Sequence, residues 1–297
     1  MLYERQKCLL ALVDALGGSV ATTDLQKLLF LWTQADEEPL YDFVPYKGGA
    51  FSFTSYADKR KLVEKGLLLD EPSTWILTSQ GRAALAKATG PRARAKAFAA
   101  KAPKLRGAEL VALTYRRHPF FATRSEIAQE LLAAEPHALA QIEAARPPPG
   151  TPGVVTLGYE GRSLESYLVI LMKSGVTLLC DVRRNPVSRR YGFARSTLSK
   201  GCENVGIRYE HLPELGIASA ERQGLDDQAD YDALFEIYER QSLPLQGAAL
   251  GRIAGWVREG HRVALTCFER LPHQCHRHCV AESLEREHGS TFTPFHL

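Results

Sequence analysis

Apolar residues recur at two periods along this chain, and the period changes near residue 150. Before that point they fall three and four apart, the spacing of amphipathic helices. After it, short apolar runs alternate with helical patterns, as in a βα sequence. Tyr3 to Leu16 predicts a helix closed by Gly17-Gly18. Thr23 then heads the amphipathic run TDLQKLLFLWTQ as a capping residue. Ser55 to Gly66 predicts a third helix, again closed by glycine. LLLDEPSTWILTSQGR has two short apolar runs around a polar Asp-Glu-Pro-Ser turn, which predicts a hairpin. Helix, helix, helix, hairpin is the order of a winged helix, here over residues 1–82, with Thr78 to Arg82 ending the wing.

Residues 83–146 are expected to form a basic linker helix and a helical pair, the pair broken at His118-Pro119 and restarted by Thr123 or Ser125 as a cap. Such a pair is either a second DNA-reading unit or packing between domains. The segment at 147–152 is rich in proline and glycine and cannot continue a helix, so it is read as a linker. From 153 to 297, strands are expected at 154–158, 177–182, 207–212 and 262–268 and at the C-terminal end. Helices are expected after Ser163, at 195–205, around 229–241 and 246–259, and from Cys275 to His288. The fold class is therefore α/β: a parallel Rossmann-like sheet with helices on both faces, preceded by a mostly helical winged-helix domain.

A chain of 297 residues is long enough for two domains with substantial cores. No apolar run approaches the roughly 18 residues needed to cross a bilayer, so no membrane partner is expected. The N-terminal segment lacks the pattern of a signal peptide, which points to the cytoplasm. The six cysteines should then be reduced. Net charge is only +3, but Arg82 to Arg106 holds eight basic residues and no acid. Arg92, Arg94, Lys96, Lys101 and Lys104 are the candidate nucleic-acid contacts. The alternative is a solvated linker helix.

Ligands of parallel sheets bind beyond the carboxyl ends of the strands, and the polar residues cluster there. The first strand runs into Tyr159-Glu160-Gly161-Arg162-Ser163, where a tight turn and a helix N-terminus could hold an anion through Tyr159 and Gly161. The second ends in Asp181, followed by Arg183, Arg184, Ser188, Arg189 and Arg190. A buried aspartate needs a partner, and the arginines exceed what one aspartate requires. The fourth strand ends in Cys267-Phe268-Glu269, and Cys275-His276-Arg277 opens the next helix. Asp181, Glu269, Cys267, Cys275 and His276 are the candidate catalytic residues. Arg183, Arg184, Ser188, Arg189, Arg277, Tyr159 and Gly161 are the candidate anion-binding ones. Cys275, at a helix N-terminus beside His and Arg, is expected to have a lowered thiol pKa. No cofactor is expected. The rival reading is zinc at Cys267, His273, Cys275 and Cys279, against which the lack of CxxC pairs counts.

Two resemblances extend this reading. KLLFLW, YDFVPYKGGAFSF and LVEKGLL resemble segments of the Panacea and YwgA-like group of small winged-helix proteins, over about residues 5–82. That resemblance implies a module that binds a macromolecule, DNA or a protein partner, in the company of toxin–antitoxin and phage genes. Phe43, Tyr46, Phe51 and Phe53 there serve either packing or recognition. TLGYEGRSLESYL, LLCDVRRNPVSRRYGF, GIRYEHLPELG and ALTCFERLPHQCHRHCVAESL resemble the Domain of Unknown Function 488 family, over about residues 153–297. The resemblance implies a site at Asp181, Arg183, Pro186, Ser188 and Arg189 with Cys267, Glu269, Cys275, His276 and Arg277. It supplies no reaction. Cys279 departs from the family pattern. Three functions stay open: an enzyme on a nucleotide or nucleic acid by N-glycosidic or phosphate chemistry, without a cofactor and tied to phage defence or DNA metabolism; an antitoxin-like DNA-binding regulator sensing an anion; and cysteine-based sulfur or thiol chemistry.

Overall fold

A computed structural model describes residues 2–297, the side chain of Ser219 excepted. The chain divides into two compact units, one ending at Arg146 and the other spanning Pro147–Leu297.

The first unit opens with α1 (Glu4–Ala15), which ends where Gly17 and Gly18 take positive φ. Next come β1 (Ser19–Ala21), α2 (Thr22–Ala35) and a hairpin of β2 (Val44–Tyr46) and β3 (Gly49–Phe51). The Ser52 hydroxyl caps α3 (Phe53–Glu64) by accepting the Ser55 N–H. β4 (Thr74–Ile76) pairs antiparallel with β1, Val20 opposite Trp75, and a bridge joins Leu68 to Leu77. The expected hairpin is thus present in shortened form, and β1 joins it from a segment too short to show a period. Thr78 to Arg82 do not end a wing. The Thr78 hydroxyl accepts the Gly81 N–H at 2.9 Å and starts α4 (Ser79–Ala86).

The basic segment is not a free linker. α5 (Thr89–Lys101) packs on α1, with Ala95 fully buried and Phe98 stacked on Trp32 at 5.5 Å. Its alanines let two helices approach closely, and its cations occupy the remaining face. α6 (Gly107–Arg117), α7 (Ala128–Leu131) and α8 (Pro136–Ala144) complete the unit. The expected second helix of the pair is only partly present. The Thr123 hydroxyl donates to the Phe120 carbonyl, whereas the Ser125 hydroxyl bonds Tyr115 and accepts the Ile127 N–H just ahead of α7. Phe43 packs edge-on against Phe30, and Tyr46, Phe51 and Phe53 form their own aromatic cluster.

The second unit is a five-stranded parallel sheet flanked by helices. It comprises β5 (Gly153–Gly158), α9 (Leu164–Lys173), β6 (Leu178–Asp181), α10 (Arg195–Asn204) and β7 (Arg208–His211). α11 (Gln228–Ile237), α12 (Gly247–Arg258), β8 (Arg262–Cys267), α13 (Arg277–His288) and β9 (Phe295–His296) follow. The strand order is β7-β6-β8-β5-β9. β8 therefore lies between β5 and β6, with Gly158 beside Cys267 and Asp181 beside Thr266. Right-handed crossovers put α9 and α10 on one face and α12 and α13 on the other. Side chains alternate between those faces. Val263, Leu265 and Cys267 enter the core with α12 and α13, whereas Thr266 receives the Tyr167 hydroxyl of α9 at 2.6 Å. Among the described residues no helix is long and apolar enough to cross a membrane.

One polar knot braces the first unit. The buried Asp58 carboxylate accepts from Arg5 at 2.6 Å, Gln6 at 2.7 Å and Tyr41 at 3.0 Å. Asp58→Ala should strand those donors and cost about 2–3 kcal/mol, read as a lowered Tm and denaturation midpoint. An unchanged midpoint would show that the knot adds nothing to stability.

Candidate active site

β5, β6 and β8 end side by side, and the loops leaving them enclose a cleft of about 340 Å³. Tyr159 and Phe268 line it with Arg183, Arg184, Asn185, Ser188 and Arg189 from the β6 loop. Arg222, Ile217 and Val187 form further wall, and Cys267, Glu269 and His276 also face it. Gly158 makes this possible. A Cβ there would overlap the Glu269 carbonyl, so only glycine lets the β8 loop cross the end of β5.

Asp181 is close by but does not line the cleft. It sits beside Thr266 in register, so alternation turns its carboxylate toward the α9 and α10 face while Cys267 points to the other. It is fully buried and fully engaged: Arg183 grips it with Nε at 2.7 Å and a second nitrogen at 2.5 Å, and the Tyr209 hydroxyl donates at 2.7 Å. Its role is to position Arg183. Burial pulls the Arg183 guanidinium down, but the Asp181 carboxylate more than reverses this, and the net shift is upward. Arg183 also donates to the Tyr159 hydroxyl and the Phe193 carbonyl, each at 2.9 Å. Tyr159 in turn stacks on Phe193, ring centroids 4.3 Å apart.

Arg277 is likewise a brace. It is buried and donates to the Glu269 carbonyl at 2.6 Å and the Arg270 carbonyl at 3.0 Å, which pins the loop that presents Glu269. Gly161 is outside the cleft lining, and the N-terminus of α9 is capped by the Ser163 hydroxyl. Ser188 lines the cleft and accepts the Arg190 N–H. Arg184 and Arg189 are exposed and make no ion pair among the described residues, so they remain open to an anion. Of the candidate nucleic-acid contacts on α5, Arg94 is bound to Asp36 at 2.9 Å and Arg92 lies 4.0 Å from Asp14. Lys96, Lys101 and Lys104 have no such acid beside them among the described residues.

At the base of the cleft, the Cys267 sulfur lies 3.5 Å from Glu269 Oε2 and 3.8 Å from His276 Nδ1. The other ring nitrogen, Nε2, is 3.0 Å from the Val182 carbonyl. A carbonyl only accepts, so Nε2 carries a proton and Nδ1 is the ring nitrogen that faces the sulfur. The expectation of an acidic Cys275 is overturned. Cys275 precedes α13 in extended backbone and is fully buried, and burial pushes its thiol up. Beside it the Cys267 thiol is lowered to about 7, chiefly by its hydrogen bonding with Cys275, against the opposing effect of burial and with help from the Arg222 charge. The zinc set read from the sequence is not assembled either: His273 is exposed, and Cys279 turns toward His278.

Sequence reading missed Arg222, which pairs with Glu269 Oε1. It lies in a segment without period or motif. It also missed Tyr209, an ordinary strand residue until Asp181 is placed beside it.

Gly158→Ala should lower stability by about 1–3 kcal/mol through overpacking, while Gly251→Ala, where a Cβ meets nothing within 4 Å, should not. Denaturant titration of both variants makes the comparison, and equal midpoints would remove the close crossing at Gly158.

No curated protein and no solved structure matches the chain. Residues 163–284, within the second unit and including the β6 loop, Cys267, Glu269, Cys275 and His276, match the family described as Domain of unknown function DUF488.

Proposed function

We propose that the cleft is the active centre of an enzyme acting on a nucleotide or nucleic acid, by hydrolysis of an N-glycosidic or phosphate ester bond. The observation that carries this reading is the division of labour among the charged groups. Arg183 and Arg277 are consumed in bracing, Arg184 and Arg189 are uncommitted at the mouth, and Glu269 is the carboxylate that faces the cavity. Arginine at the mouth suits phosphate through its planar fork. Glu269 is held by Arg222 through one oxygen, and its other oxygen, which also accepts from the Cys267 thiol at 3.5 Å, would take the proton of an attacking water. In this reading the first unit, whose sequence resembles a winged helix, binds the macromolecule, and Lys96, Lys101 and Lys104 contribute the nonspecific phosphate contacts. A role in phage defence or DNA metabolism would follow from that pairing.

Incubating the protein with DNA, RNA and nucleotide pools, with products read by mass spectrometry, tests the proposal. Glu269→Gln should lower turnover by at least about 100-fold. Arg189→Ala should mainly raise KM, and the difference from wild type should shrink as salt is raised. Specific duplex binding with every pool unchanged would instead make the protein a regulator. Loss of turnover in Cys267→Ser with turnover kept in Glu269→Gln would move the chemistry to sulfur.

A further inference from the structure

Cys267, Cys275 and His276 come from a strand end and from the turn before α13, and their three donor atoms lie within 4.8 Å of one another. All three are buried, with 1%, 0% and 2% exposure. Tetrahedral zinc, with bonds of about 2.3 Å to sulfur and about 2.0 Å to nitrogen, sets S···N near 3.6 Å and S···S near 3.8 Å. The Cys267 sulfur and His276 Nδ1 are 3.8 Å apart. The imidazole is also prepared in the way metal-binding histidines usually are. Its distal nitrogen donates to the Val182 carbonyl, which fixes the tautomer and directs the Nδ1 lone pair inward.

We propose that these three residues bind one zinc ion at the floor of the cleft. Cys267 and His276 line the cavity, and Cys275 closes the site from behind. Three protein ligands leave a fourth position, and Glu269 Oε2, 3.5 Å from the Cys267 sulfur, stands beside it. An open fourth position is the pattern of catalytic rather than structural zinc. The ion would polarise a water or a substrate oxygen there. That role rests on the reading of the cleft as an active centre, whereas the presence of the site does not.

Full-length protein loaded with Zn2+ alone, desalted and measured by plasma mass spectrometry should retain about one ion per chain. Co2+ in its place should give thiolate-to-cobalt charge-transfer absorption. Cys267→Ser and Cys275→Ser should each weaken retention by more than about tenfold, and His276→Gln should weaken it too. Cys202→Ser and Cys279→Ser should not. If the cysteine variants fail to fold, the wild-type cobalt spectrum decides by itself. Retention below about a tenth of an ion in wild type, a cobalt spectrum without the thiolate band, or full retention in folded Cys267→Ser would overturn the site. Because none of these readings needs turnover, a zinc-loaded but inactive protein would sink only the enzymatic reading, and an active zinc-free protein only the metal.

Discussion

The cleft depends on one buried guanidinium. Arg183 ties the end of β6 to itself through Asp181, to the end of β5 through Tyr159, and to the far end of its own loop through Phe193. Those bonds clamp both ends of residues 184–192, the stretch that carries Arg184, Ser188 and Arg189. A charged pair out of water is costly, and it persists where further hydrogen bonds satisfy both partners. Tyr209 and the Phe193 carbonyl do that here. The pair is therefore less a source of stability than a way of specifying one loop conformation.

Topology explains why two segments nearly ninety residues apart share this clamp. With β8 inserted between β5 and β6, the turn after Cys267 has a strand end on either side. The Glu269 backbone crosses over Gly158, and the Tyr159 and Glu160 N–H groups extend the pairing by donating to the Cys267 and Phe268 carbonyls. His276 reaches the opposite neighbour through the Val182 carbonyl. The β8 loop is thus stitched to both flanking strands. Its side chains project from a rigid base instead of from a free loop.

The strands of the second unit and the gathering of their ends were legible because buried parallel strands are near-continuous apolar runs and polar residues mark where they stop. Alternation was legible too, yet its consequence depends on register. Only after Asp181 is aligned with Thr266 does its carboxylate fall on the face away from Cys267. The setting of Cys275 was hidden for a related reason. A helix N-terminus favours a thiolate, but Cys275 lies ahead of the helix in a sealed core, where desolvation dominates. In the first unit the cationic run of α5 outweighed its small residues in the reading, although it is Ala95 and Phe98 that hold the helix on its neighbours.

The same accounting separates the charges held within the protein from those left open. Four arginines line the cleft, but Arg183 is spent on Asp181 and Arg222 on Glu269. Arg184 and Arg189 remain, both exposed, and exposed charges act over a Debye length of about 8 Å at physiological salt. They can draw in an anion and orient it, but they confer little shape selectivity. Selectivity must come from the walls, where the Tyr159 and Phe268 rings meet edge to face 5.4 Å apart beside Asn185 and Ile217. Tyr159 is buried and stacked on Phe193, so Phe268, 41% exposed, is the ring that presents an open apolar surface beside the two unpaired guanidiniums.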